Sequence, residues 1–275
     1  MNNKIIISGG LGDCLLYTPL IKHLYTEGMK KILVYVFSEN HKDILQNNPY
    51  CFVKLLNYEI LKKEVPVYKA PFFYGIHLPS LTYKIKASKI IAQSFKIQDF
   101  ENEIPEIFLM ENELKKGKAT ITNLRNPIVI NPTAVCSKNK EWFFNRWNKV
   151  VSELEGFTFI QIGLPTEQLI EGAMDFRVGY SLREQLSILA NSKLFLGVDS
   201  FWGHAAAALN VKGVVLFGAS TPIIWGHDNN LNLYKSLNCS PCIDWILDSQ
   251  CPYSKKCMSS ITVDDVVFAI KSNYS

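Results

Sequence analysis

The second half of the chain alternates short apolar runs with amphipathic stretches, and no other feature constrains the fold as strongly. "PIVINPT" reads as a strand running into a loop, and "NRWNKVVSELEG" as a helix with Trp147, Val150, Val151 and Leu154 on one face, closed by Gly156. "FTFIQIG" is the next strand. "SLREQLSILANS" follows as a helix whose Ser181 and Glu184 have capping-box spacing, with Leu182, Leu186 and Leu189 inward. "KLFLGV", "SFWGHAAAALN" and "VKGVVLFG" continue as strand, helix and strand. Strands that alternate with helices require crossover connections, so the expectation is an α/β fold built on a parallel, Rossmann-like sheet.

The N-terminus repeats the theme. "KIIIS" is a strand, "GGLGD" a turn, and "CLLYTPLIKHLYTEG" a helix with Leu16, Leu20 and Leu24 on one face. Pro19 is expected to kink that helix or to sit near its start. "KILVYVF" is a second buried strand, completing a β-α-β unit. "VPVYKAPFFYGIHLPS", rich in proline and aromatics, reads as a long functional loop, and the polar stretch from Glu111 to Pro127 as the linker between two halves. The expected domains are 1–122, a shortened N-terminal domain, and 123–275. A site is expected in the cleft between them, at the C-terminal ends of the strands.

Bulk properties narrow the function. With 48% apolar and 20% charged residues the chain can bury an ordinary core. A formal charge of +4 is too small to argue for nucleic acid, though it suits a phosphate-bearing substrate or an anionic membrane surface. No charged segment followed by an apolar one opens the sequence, and no apolar run approaches the roughly 18 residues of a bilayer span. A cytoplasmic location is the corresponding expectation. Seven cysteines, an odd number, argue against a disulfide scaffold.

Candidate site residues gather where strands end. In "GGLGDCLL" the glycines, Gly12 among them, let backbone approach a ligand, and Asp13 is either a helix cap or a general base. "NPTAVCSKNKEW" offers Thr133, Lys138 and Lys140 to a diphosphate, or is a solvated loop. Glu167, in "IGLPTEQ", either accepts hydrogen bonds from ribose hydroxyls or lies on the surface. In "LGVDSFWGHAAAAL", Asp199 or Ser200 caps a helix whose small residues let it pack tightly on the sheet. The N-terminus of such a helix is also an anion site, with His204 one turn in. Cys239, Cys242, Cys251 and Cys257, in a C-x2-C-x8-C-x5-C arrangement, are either four thiolates around a structural zinc or iron ion or four reduced cysteines in a loop.

Taken in order, "GGLGD", Lys140-x-Trp142, "DSFWGHAAAAL" and "VVLFGASTP" resemble the ADP-heptose glycosyltransferases of glycosyltransferase family 9, which include lipopolysaccharide heptosyltransferases. The likeness covers about Pro127 to Ile270 and the first 30 or so residues. It implies a GT-B fold, two Rossmann-like domains with parallel sheets facing a cleft, and a nucleotide sugar held mainly by the C-terminal one. It further implies an inverting glycosyltransferase that moves a heptose from ADP-heptose to a hydroxyl of a saccharide or protein acceptor in bacterial surface-glycan synthesis. Asp13 would be the base, Lys140 would contact the donor phosphates and Glu167 the nucleoside. Asp199 and Ser200 would shape the phosphate-binding turn, supported by His204. No cofactor is required for that chemistry, and peripheral contact with the inner membrane is compatible with it.

The chain departs from the family in having Phe201 where many members have glycine, and in a Thr133–Lys140 spacing about two residues longer, which makes Lys138 a rival for the phosphate. Protein O-heptosyltransferases that modify autotransporters resemble this family and carry a cysteine-held iron at the position of the four-cysteine segment. The alternatives are a nucleotide-sugar epimerase or hydrolase on the same fold, and a non-catalytic nucleotide-sugar-binding subunit.

Overall fold

The computed structural model describes residues 3–57, 84–101, 104–242, 244–247 and 249–274. The proline- and aromatic-rich loop expected at 65–80 lies outside them. The chain forms two compact units, Met1–Phe108 and Leu109–Ser275.

The first unit carries a parallel sheet of β1 (Lys4–Ile6), β2 (Ile32–Val36) and β3 (Cys51–Leu55), in that order. The helical stretch after β1 is broken in two, Leu11–Leu16 and Thr18–Thr26. Pro19 occupies the first turn of the second piece, where its missing N–H costs nothing. Leu16, Leu20 and Leu24 are buried as their spacing requires.

The second unit holds six parallel strands: β4 (Pro127–Asn131), β5 (Thr158–Gln161), β6 (Met174–Asp175), β7 (Leu194–Val198), β8 (Gly213–Phe217) and β9 (Asn230–Tyr234). Their spatial order is β6-β5-β4-β7-β8-β9. The chain runs outward from β4 to one edge, then restarts beside β4 at β7 and runs to the other. That is the doubly wound Rossmann order, and the reversal between β4 and β7 opens a crevice at their C-terminal ends.

The core between strands and helices is apolar. Trp147 and Val150 of helix Phe144–Glu153 are fully buried against Ile128, Leu196 and Val214. Each such side chain contributes about 2–3 kcal/mol. Ser181 caps helix Leu182–Asn191 in the expected box: its Oγ accepts from Glu184 N, and Glu184 Oε2 accepts from Ser181 N at 2.9 Å.

The stretch expected to be a linker is different. It folds as helix Glu111–Ile121, which lies against helix Leu182–Asn191 through the Arg183–Glu113 ion pair at 2.6 Å and through Gly117. Among the described residues no helix is long and apolar enough to cross a membrane.

Candidate functional site

The crevice between β4 and β7 is where side chains with chemistry meet. After β4 the chain makes a 3-10 turn, Lys138–Lys140, capped by Ser137 Oγ, which accepts from Asn139 N at 3.2 Å. The turn delivers Lys140 to the end of β7, where its Nζ lies 2.7 Å from Asp199 Oδ2. Both side chains are almost wholly buried, at 8% and 4% exposed. A single buried ion would cost several kcal/mol, so each is tolerable only because of the other. Ser220, from the end of β8, donates to the same carboxylate oxygen at 2.5 Å. Burial pushes the Asp199 carboxyl up, but the Lys140 ammonium, His204 and the Ser220 hydroxyl outweigh it and hold the group below the usual aspartate range. Asp199 is thus an anion at neutral pH whose partner is the lysine: it fixes the ammonium at the strand ends. Trp225 lies under that ammonium, 5.9 Å from Nζ to the ring centroid.

Immediately after Asp199, Ser200 is extended (φ −154°, ψ 179°) and begins helix Phe201–Ala208 without a side-chain cap bond. Its Oγ is buried with no hydrogen-bond partner among the described residues. A buried hydroxyl at a helix N-terminus, beside a fixed ammonium, is what an oxyanion would satisfy. Ala205 and Ala206 are fully buried, so the small residues do seat this helix on the sheet. His204 is buried too, but its Nδ1 faces His227 Nε2 at 2.8 Å, with the rings nearly perpendicular at 88°.

A second cluster lies at the ends of β4 and β5. Asn131 Nδ2 donates to Glu167 Oε2 at 3.1 Å and to Ile162 O at 2.9 Å. The carboxylate rests on Gly163, where φ is +136° and an added Cβ would lie 2.2 Å from Oε2, so only glycine serves there. Burial raises the Glu167 carboxyl above the usual glutamate value, against the opposing pull of the Thr133 hydroxyl, the Asn131 amide and the Arg177 guanidinium. Thr133 and Glu167 are therefore neighbours, although Thr133 Oγ1 is buried with no hydrogen-bond partner among the described residues, and Lys140, Asp199 and Ser200 come together as well. Lys138 does not join them. It is 78% exposed and pairs with Glu141 at 2.9 Å.

In the first unit, Asp13 lies in the first turn of helix Leu11–Leu16, and its Oδ2 accepts from Gly10 N at 2.7 Å. Asp13 is thus not the N-cap, which is Gly10, but the third residue of the helix, whose carboxylate reaches back to the N-cap N–H. Gly12 is inside the helix, and the glycine that the turn demands is Gly9: its φ is +110°, and a Cβ there would lie 2.5 Å from Asp13 Oδ2. His41, in the helix Glu39–Leu45 that follows β2, holds this turn, with Nε2 donating to Gly9 O at 3.1 Å and Nδ1 facing Ser38 Oγ at 2.7 Å. Sequence reasoning missed His41, Ser220, His227 and Asn131. Ser220 and Asn131 stand at strand ends on the same edge of the sheet as the residues it found.

The four clustered cysteines line one cavity of about 220 Å³ together with Asn139, Asp244 and Lys255. Burial first, and then Cys242, Cys239 and Cys251, push the Cys257 thiol up to about 11 despite an opposing backbone hydrogen bond. A cation among them would reverse that balance, so the donor set suits a soft metal ion. The thiols are not drawn together around one point, however: among the described residues no three His, Cys, Asp or Glu side chains are placed to hold an ion.

Residues 178–251 match the family model of glycosyltransferase family 9 (heptosyltransferase). The chain resembles glycosyltransferase family 9 in sequence and in fold. The family 9 segment contains Asp199, Ser200, His204, Ser220 and His227, and it ends at Cys251. A glycosyltransferase family 9 protein from Veillonella parvula DSM 2008 superimposes with a TM-score of 0.73 at 14% identity, over 98% of this chain and 96% of its own. ADP-heptose LPS heptosyltransferase II of E. coli gives 0.69 at 14% identity, over 98% of both chains. The iron-containing dodecameric glycosyltransferase TibC of enterotoxigenic E. coli H10407 gives 0.69 at 15% identity, over 98% of this chain and 75% of its own. At such identities the likeness is one of fold, and the fold is that of the GT-B glycosyltransferases. No curated protein sequence matches this one.

Proposed function

We propose that the protein is an inverting glycosyltransferase that takes a sugar from a nucleoside diphosphate, ADP-heptose foremost, to a hydroxyl of a saccharide or protein acceptor in bacterial surface-glycan synthesis. The observation that carries this reading is the end of β7: a buried ammonium fixed by Asp199, beside an unpartnered buried hydroxyl at a helix N-terminus. The structure of TibC with ADP-D-β-D-heptose, and those of E. coli WaaC with ADP and with ADP-2-deoxy-2-fluoro heptose, support the choice of donor.

In this reading the acceptor oxygen attacks the anomeric carbon as its proton passes to the Asp13 carboxylate. The bond from that carbon to the phosphate oxygen breaks, and its electron pair leaves with the diphosphate. Lys140 and the N–H groups and hydroxyl at Ser200 stabilise the charge that develops there. Gly12 lies in the backbone that meets the donor sugar, Glu167 accepts from the ribose hydroxyls, and His204 backs the phosphate turn. Lys138, exposed and paired with Glu141, lends the donor only long-range charge. The work belongs in the cytoplasm, with peripheral contact at the inner membrane.

Replacing Asp13 with Ala should lower transfer from ADP-heptose by about 10³-fold, with ADP affinity within about twofold of wild type. The measurements are ADP release in the presence of truncated lipopolysaccharide or protein acceptors, and calorimetric titration with ADP. Loss of ADP affinity in step with activity would sink the base role. Free sugar formed equally fast without acceptor would mark a hydrolase.

The four cysteines are the ligands we assign to one structural zinc or iron ion, which would tie the segment together and take no part in the transfer. Purified protein should contain close to one equivalent of metal by mass spectrometry, and Cys242→Ser should lose it. Metal-free wild type with an unchanged melting temperature would refute the assignment.

A further inference from the structure

The turn that presents Lys140 is held by the cysteine-rich segment. Side chains of successive residues in a 3-10 turn diverge by about 120°. Lys140 reaches Asp199, while Asn139 reaches the other way. Asn139 is 7% exposed, and its Nδ2 donates to Asp244 O at 3.2 Å and to Ser249 O at 2.7 Å, both carbonyls lying between Cys242 and Cys251. Lys255, between Cys251 and Cys257, returns the contact: its Nζ donates to Lys138 O at 3.3 Å and to Glu141 O at 3.1 Å, the residues that bracket the turn. Asn139 and Lys255 also line the cavity into which the four cysteines open. These are four hydrogen bonds across more than a hundred residues of sequence separation, converging on the turn and the residue after it, and they add a distant anchor to the turn's local bonds from Asn139 N to Ser137 Oγ and from Lys140 N to Ser137 O.

We propose that Asn139 is a positioning residue for the donor diphosphate: it anchors the Lys140 turn to the cysteine-bearing segment, so that the order of that segment sets the affinity for phosphate. The proposal rests on the donor-site reading of Lys140. An apolar residue at 139 removes the bond to Ser249 O and one of the two bonds to Asp244 O, which keeps Ser249 N, and so lets the turn relax, which moves the ammonium but not the nucleoside subsite around Glu167.

The test is calorimetric titration of the full chain with ADP and with adenosine, for wild type, Asn139→Leu, Lys140→Met and the double variant. Asn139→Leu should bind ADP about tenfold more weakly and adenosine as wild type does. The double variant should be no weaker than Lys140→Met alone, because the two changes remove the same interaction. Wild-type ADP affinity in Asn139→Leu, equal losses for ADP and adenosine, or additivity in the double variant would each overturn the proposal. Should Asn139→Leu fail to fold, Lys255→Met removes the reciprocal bonds; the same selective loss of ADP binding is expected, and wild-type affinity there is equally fatal. Wild type that does not bind ADP, or Lys140→Met that binds it unchanged, instead defeats the donor-site reading and this proposal with it.

Discussion

At the scale of single residues, the site works by restraining charge. Lys140 and Asp199 neutralise each other, so in the proposed donor site the attraction for a diphosphate would come from how the ammonium is aimed and from the adjacent helix N-terminus, more than from net charge. Glu167 is the opposite case, a carboxyl that burial holds above its ordinary value. For such a group the folded protein binds the proton more tightly than the unfolded chain. Its contribution to stability is therefore complete below the unfolded value and is lost as pH rises through the folded one. Glu167→Gln should accordingly raise the melting temperature at neutral pH by about 2 °C, a gain that vanishes in acid.

The same substitution should weaken ADP binding several-fold, since an amide accepts ribose hydroxyls less well than a carboxylate. Wild-type affinity should fall on acidification through the raised Glu167 value, a component absent from the Gln variant's profile. Identical pH profiles of ADP affinity would remove Glu167 from the ribose subsite. The residue types were legible in the sequence because strand ends bring them to one edge. Their partners, Asn131, Ser220 and His227, were not, because a hydrogen bond between distant loops leaves no periodic signature.

At the scale of elements, helix Glu111–Ile121 shows what periodicity cannot reveal. Only Gly117 and Ile121 are buried in it, so no apolar stripe announced a helix and its charged residues read as a linker. What packs is a close approach. A Cβ on Gly117 would lie 2.2 Å from Ser187 Oγ and 2.5 Å from the Ser187 carbonyl carbon and oxygen. Alanine would gain about 1 kcal/mol of helix propensity, but it would drive the two helices apart against backbone atoms that cannot rotate away, at about 1–3 kcal/mol. The Arg183–Glu113 pair and the Ser187 hydroxyl on Glu113 O would be stretched as well.

Gly117→Ala is therefore expected to lower stability by about 1–2 kcal/mol in urea unfolding. A neutral or stabilising result would mean that the helices part easily. By contrast, helix Phe201–Ala208 was readable because its alanines could have only one use, close packing on a sheet.

At the scale of the whole molecule, the four central strands of the six-stranded sheet, β4, β5, β7 and β8, were legible because they are buried and written as apolar runs, whereas the edge strands β6, exposed at both residues, and β9, "NLNLY", carry no such run. The first unit was legible only through its opening β-α-β. Its third strand, β3, is the edge of the described sheet and mostly exposed, with Phe52 64% accessible, so neither a run nor an alternation marks it.

This contrast also assigns labour. In the proposed reading the residues that would meet the diphosphate and the nucleoside belong to the second unit, and the first contributes Gly12 and Asp13, in a turn fixed by Gly9 and His41. ADP alone should therefore be felt on one sheet. At about a hundredfold excess over its Kd it stabilises the protein by about 2.7 kcal/mol. In hydrogen exchange that stabilisation should appear as slower exchange at 131–141 and 198–204, with β1, β2 and β3 unchanged. Equal protection of β1 and of the Gly9–Asp13 turn would show that the nucleotide itself is bound by the first unit, and Asp13 would then have to be reconsidered as a donor ligand instead of the base.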